Sequence, residues 1–208
     1  MLWRLDRPND NRRASRSAGT DVSPGLCLYI SSPAAPDPAA LVEQAGYETE
    51  GGVVVKKLDD FLAKLEENQV WGFRITVNPT YRRTDDGGRK RLLGHVTVAQ
   101  QTQWLLDRAE VNGFQIPMSV EVGGDLPVLE NEVGERVDGR NLLVSLVDRR
   151  VENFFRVNGE DKRPVTLKLA TFQGTLKVTD PRALRSALAN GIGRAKGYGA
   201  GLLTLARP

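Results

Sequence analysis

The sequence is poor in the residues that carry most enzymatic chemistry. Among its 208 residues there is one cysteine, Cys27, and one histidine, His95. A lone cysteine excludes an internal disulfide and favours a reducing compartment. One histidine, one cysteine and scattered carboxylates make no recognisable metal-ligand set, so no resident metal is expected. No apolar run reaches the roughly eighteen residues of a spanning helix. The opening MLWRLDRPNDNRR is charged where a secretory leader needs an apolar stretch. These absences point to a soluble cytoplasmic protein.

What is present is ordinary in amount and uneven in placement. Hydrophobic residues make up 40% and charged residues 26%, enough for one large or two small packed domains. The formal net charge is +3, a weak lean toward an anionic partner. Arginine dominates the cations, and its planar fork suits phosphate better than the lysine ammonium does. Scattered arginine also fits a plain solvated surface, so placement has to decide.

Read along the chain, MLWRL alternates as a strand, with Leu2 and Arg4 on one face and Trp3 and Leu5 on the other. A long polar loop follows, then a strand at 26–31 and a short helix capped by Asp37 with Pro38 at its first position. Residues 53–69 predict a short strand and a helix with Leu58, Phe61, Leu62 and Leu65 on one face. VWGFRITVN, 70–78, predicts a strand. The basic stretch TYRRTDDGGRKRLLGH predicts an interdomain linker or exposed loop. A helix then ends at Asn112-Gly113, its buried side formed by Trp104, Leu105 and Ala109 to Val111. Strands are expected at FQIPMSVEV and NLLVSLV, and a hairpin over Val165 to Phe172 and Thr175 to Val178 with its turn at Gln173-Gly174. Asp180, Pro181 and Gly191 cap, start and stop a further helix before a last strand, GLLTLA. Two α+β halves result, 1–84 and 85–208.

The segment ANGIGRAKGYGAG places Gly191, Gly193, Gly197, Gly199 and Gly201 within eleven residues, with Arg194, Lys196 and Tyr198 between them. A dinucleotide fingerprint needs strand, glycines, then helix; here the order is helix, glycines, strand. A Walker A loop fails on spacing, because Lys196 follows Gly191 by five. A flexible connector remains open, although it leaves the alternation with cations unexplained. The other open reading is a loop lying along a nucleic-acid backbone, where glycine lets main-chain amides approach phosphate. The C-terminal end of the preceding helix is slightly negative, so the positive charge must come from Arg194, Lys196 and main-chain amides. Tyr198 could stack on a base.

ALRSALANGIGRAKGYGAGLLTL resembles the C-terminal glycine-rich motif of the CRISPR-associated CasE family, the type I-E repeat-RNA endoribonucleases. Residues 191–203 match that motif throughout. TFQGTLKVTDPRALRSAL, WGFRITVNPTYR, WLLDRAEVNGF and LYISSPAAPDPAALVEQAG resemble other parts of the family, so the likeness covers nearly the whole chain. It implies an α+β fold of tandem ferredoxin-like domains, close to the RNA-recognition fold. It also implies binding of the CRISPR repeat hairpin, metal-independent cleavage of precursor CRISPR RNA by 2′-OH attack, and partners in the CRISPR surveillance complex. No nucleotide, flavin or metal cofactor is implied. The RNA-binding residues expected on this basis are the five glycines with Arg194, Lys196 and Tyr198, joined by Lys168, Arg182 and Arg185. Arg82, Arg83, Arg89, Lys90 and Arg91 could contribute, or could simply be solvated.

The chain also departs from the family. The family's catalytic histidine lies on a first helix, after a first strand. Here MLWRL is followed by no helix, and the first half reads as the last four elements of a βαββαβ unit. The first domain is therefore expected to lack its first strand and helix, through a misplaced start, a damaged gene or a deliberately shortened chain. Strand 70–78 would then lose a partner. His95 is the natural choice of base on pKa grounds. It sits where the family carries no catalytic group, so a helix-entry or surface role stays open beside the catalytic one. Lys196 could assist by stabilising charge on the phosphate. Three outcomes follow: an endoribonuclease, a non-catalytic RNA-binding subunit, or an inactive remnant.

Overall fold

The computed structural model of the protein describes residues 1–6, 26–45, 52–85, 87–118, 142–159 and 161–207. The polar loop expected after the first strand, the end of FQIPMSVEV and the residues between it and NLLVSLV lie outside the described residues. No helix among the described residues is long and apolar enough to cross a membrane.

The first unit begins with β1 (Leu2–Asp6), which pairs antiparallel with β2 (Cys27–Ser31). The expected alternation of β1 holds: Leu2 and Arg4 are buried. Arg4 is only 1% exposed and forms a bidentate pair with Asp6, at 2.7 and 3.1 Å. The Tyr29 ring lies 5.0 Å from its guanidinium. A hydrogen bond with the Cys27 thiol, helped by burial, holds the Tyr29 phenol above its usual pKa. That contribution is present below the ordinary phenol pKa and is lost as pH rises through the raised one. Asp37 Oδ1 accepts from the Ala39 amide at the start of α1 (Ala39–Ala45), as its position before Pro38 predicts.

Residues 52–58 are exposed and form no strand, and α2 (Asp59–Ala63) is shorter than expected. Leu65, beyond that helix, is buried at 1% exposure, whereas Leu58, expected on the same apolar face, is 46% exposed. Helical periodicity does not apply to a single turn.

The main sheet is antiparallel with the order β6–β8–β3–β9: β6 (Phe114–Gln115), β8 (Asp161–Val178), β3 (Val70–Val77) and β9 (Leu203–Ala206). A further strand, β7 (Val144–Asn158), pairs along β8 on the same edge as β6. With α3 (Val98–Val111) and α4 (Pro181–Asn190), the succession β3, α3, β6, β8, α4, β9 is a ferredoxin-like βαββαβ unit, and the fold is α+β. Strand 70–77 was expected to lose a partner. Instead it is paired on both edges, with Ile75 opposite both Phe172 and Leu203. Phe73, Ile75, Thr76 and Val77 are all buried, as for a strand covered on both faces. The sheet therefore draws strands from both sides of the expected division at residue 84.

Three further expectations are corrected. Residues 80–94 form a hairpin, β4 (Thr80–Thr84) with β5 (Lys90–Gly94), not a linker. Asp85 closes its turn by accepting from the Arg89 amide at 2.8 Å, a role suited to an Asp before a Gly-Gly pair. The expected turn at Gln173-Gly174 is absent, because β8 runs straight through it. The reversal comes at the other end, where Asn158 pairs with Asp161. Val111 is 72% exposed rather than buried, because one face of α3 already carries Trp104, Leu105 and Ala109. A Thr97–Gln100 capping box starts that helix.

Candidate nucleic-acid interface

Helix α4 delivers the chain into the glycine-rich segment. Asp180 Oδ1 accepts from the amides of Arg182 and Ala183 at its start, and Gly191 ends it at φ 72°. Two backbone bonds close the neck of the segment: Ile192 N–H to Gly201 O at 2.9 Å, and Gly201 N–H to Thr76 O at 2.7 Å. The Ile192 side chain is buried. Between them, Lys196–Tyr198 make one 3₁₀ turn, entered at Ala195 (φ 67°) and left at Gly199 (φ 79°). The segment is an ordered turn bonded to the central strand, not a flexible connector.

The glycines are demanded from within. A Cβ on Gly199 would lie 2.7 Å from Trp3 Cζ3, and one on Gly193 would lie 2.9 Å from Trp104 Cη2. Gly191 and Gly201 are equally crowded by neighbouring chain, and only Gly197 faces open space. The close approach these glycines permit is therefore to the protein's own core. The turn still presents charge outward: Arg194 is exposed, Lys196 is half-buried, and Tyr198 is exposed with its ring 4.9 Å from that of Phe154 on β7.

The other expected RNA contacts do not gather there. Leu167 and Leu169 of β8 pack with Ala200 and Ala195 of the turn, so Lys168, between them, points to the opposite face. Its stem would lie 3.0 Å from a Cβ on Gly94 of the β4–β5 hairpin. Arg182 is exposed at the far end of α4, about 15 Å from the turn at 1.5 Å per residue. Arg185 caps α2: it donates to Leu62 O at 2.6 Å and Leu65 O at 2.7 Å. Replacing Arg185 by alanine should cost about 1.5 kcal/mol, the scale of charge-assisted bonds to carbonyls. RNA affinity should be unchanged; urea titration and a binding isotherm check both.

His95 and Lys196 are not brought together. His95 follows Gly94 on the Lys168 side of β8, while Lys196 follows Ala195 on the other. The His95 ring stacks 4.8 Å from Tyr81, and its buried Nδ1 has no partner among the described residues.

Two features escaped sequence reading. On the β4–β5 hairpin Arg83 lies directly opposite Arg91, and on the β7–β8 ribbon Arg156 lies directly opposite Arg163. All four are exposed. Like charges at facing positions destabilise a ladder, and each pair has one carboxylate beside it, Asp85 at 3.5 Å from Arg91 and Asp161 at 3.2 Å from Arg163. Register alone reveals them.

The family model described as CRISPR associated protein matches residues 1–207. The CRISPR-associated endoribonuclease Cse3 of Thermus thermophilus is 30% identical over 147 residues, 70% of this chain. The match spans 60% of that relative's length. Thermus thermophilus Cse3 bound to an RNA representing a pre-cleavage complex superposes with a TM-score of 0.60 at 24% identity, covering 99% of this chain and 77% of the other. A chain of a CRISPR RNA-guided surveillance complex, pre-nicking, superposes with a TM-score of 0.58 at 26% identity, covering 100% and 76%.

Proposed function

The chain belongs to the CRISPR-associated protein family, in its CasE branch, and from that membership we propose that it binds the CRISPR repeat RNA hairpin as a subunit of an RNA-guided surveillance complex. The observation that carries this reading is the ordered turn at 191–201, which holds Arg194, Lys196 and Tyr198 outward on a backbone fixed to the central strand. Backbone phosphates fit the two cations and an unstacked base fits the ring. The facing arginine pairs on the two hairpins supply further positive surface for the stem. A division into two units belongs to the same proposal, with the RNA-binding turn in the second, whose sheet takes in β3.

Cleavage in this family reading proceeds without metal. A base takes the proton of a ribose 2′-OH, the 2′-oxygen attacks the adjacent phosphorus, and the bond to the 5′-oxygen breaks as that oxygen gains a proton. Lys196, on the turn, is the residue proposed to steady the phosphate. His95 lies on the other side of β8 and is not placed to serve as base for the same phosphate. The described residues thus favour binding over turnover, with endoribonuclease activity as the second reading, supported by the likeness to Cse3.

A repeat-hairpin gel in chelator tests both. A shifted, intact RNA is the expected result, cleaved RNA establishes the second reading, and no shift overturns both. Replacing Arg194 and Lys196 by alanine together should weaken binding across all sequences and lower the salt slope by about two units, one per lost phosphate contact. Binding measured across a salt series checks this.

A further inference from the structure

Strand β1 touches the glycine-rich turn at three consecutive residues. Leu2 Cδ2 lies 2.9 Å from the Cβ position of Gly191, and the Trp3 six-membered ring lies 2.7 to 3.1 Å from that of Gly199. Arg4 Nη1 donates to Leu202 O at 3.2 Å and to Arg74 O at 2.9 Å. Leu2 and Arg4 point to one face of the strand and Trp3 to the other. The turn and the residue after it thus meet side chains from both faces of the strand.

We infer that Trp3 and Arg4 are positioning residues of the RNA-binding turn: strand β1 sets RNA affinity without touching RNA. The inference rests on the function proposed above. Gly199 follows Tyr198 directly and is held at φ 79° against the Trp3 ring. Fixing Gly199 aims the tyrosine and shortens the path over which Arg194 and Lys196 can wander. A turn ordered beforehand loses less conformational freedom on binding. The phosphate contacts themselves are the same whether the turn is ordered before or during binding. Loss of the platform therefore lowers affinity and leaves the salt slope alone, the opposite of losing a cation.

The turn carries its own reporters, because trypsin cleaves after Arg194 and Lys196. In the RNA-free protein, Trp3→Ala should speed cleavage at those two bonds, read by mass spectrometry, and Trp3→Phe should restore most of the protection. With the repeat hairpin, Trp3→Ala should bind on the order of tenfold more weakly with an unchanged salt slope. Gly199→Ala reaches the same contact from the turn side. It should weaken binding more when Trp3 is present than in a Trp3→Ala background, where the ring no longer obstructs the new methyl and only the left-handed φ of 79° strains the alanine. Unchanged cleavage in Trp3→Ala, a salt slope that falls with affinity, or additive effects of the two substitutions would each overturn the inference. If the parent protein does not bind the hairpin, the proposed function falls, while the cleavage rates still decide whether Trp3 holds the turn.

Discussion

Gly174→Ala is expected to unfold the main sheet. A Cβ at this position would lie 2.2 Å from Leu143 O and 2.8 Å from Val144 Cα, both main-chain atoms. Neither can rotate away as a side chain would. Gly174 pairs with Phe73 on one edge of β8 and with Val144 on the other. It sits where the shared edge passes from β7 to β6, so displacement of Val144 disturbs the start of the long ribbon. Ordinary overpacking costs about 1–3 kcal/mol. Here the obstruction is rigid on the side where three strands meet, and a loss above about 4 kcal/mol is expected. Gly197→Ala is the matched control: nothing lies within 4 Å of its Cβ position, and a change within about 0.5 kcal/mol is expected. Urea midpoints of the two variants provide the check.

The second large effect is expected at Arg4. Its guanidinium is buried, pairs with Asp6 and donates to the carbonyls of Arg74 and Leu202. Arg4→Met roughly keeps the volume and removes the charge, taking a donor from Leu202 O and from Arg74 O, which retains the Thr204 hydroxyl, and leaving Asp6 with Arg74 alone, at 3.5 Å. Breaking one side of a buried pair costs about 3–5 kcal/mol. Asp6 is half-buried and retains Arg74, so about 3 kcal/mol is expected. The double variant Arg4→Met/Asp6→Asn should lose less than the sum of the single changes, because no carboxylate is then left half-buried. A double-mutant cycle by chemical denaturation tests it, and additive losses would show that the pair does not act as one.

These two positions show how far the sequence could be read. The alternation of MLWRL put Arg4 on one face with Leu2 but did not say which face is buried, and nothing in the string indicates that its donors reach Leu202. Gly174 followed a glutamine within a β-rich stretch and read as a turn, because glycine marks tight turns and close strand approaches alike. Helix α4 was legible in full, since Asp180, Pro181 and Gly191 act through bonds within a few residues of themselves. The family was legible from the glycine segment because its main-chain path depends on a dense local pattern. What the glycines meet was not: Trp3 and Trp104 come from far along the chain. Period-two alternation separates the faces of a strand but does not name its neighbours. That is why strand 70–78 was expected to lose a partner, and why Lys168 was grouped with cations it turns its back on. Arg185 reads as one more surface cation until the carbonyls of Leu62 and Leu65 are seen beside it.

The paired arginines at Arg83 and Arg91 set two salt responses against each other. Added electrolyte shields the guanidinium groups from one another and relieves strain in the small hairpin, with Asp85 already drawing Arg91 to 3.5 Å. The same electrolyte competes with any polyanion laid across them. Conditions that stabilise this element in isolation are thus the ones that would weaken a polyanion bound there.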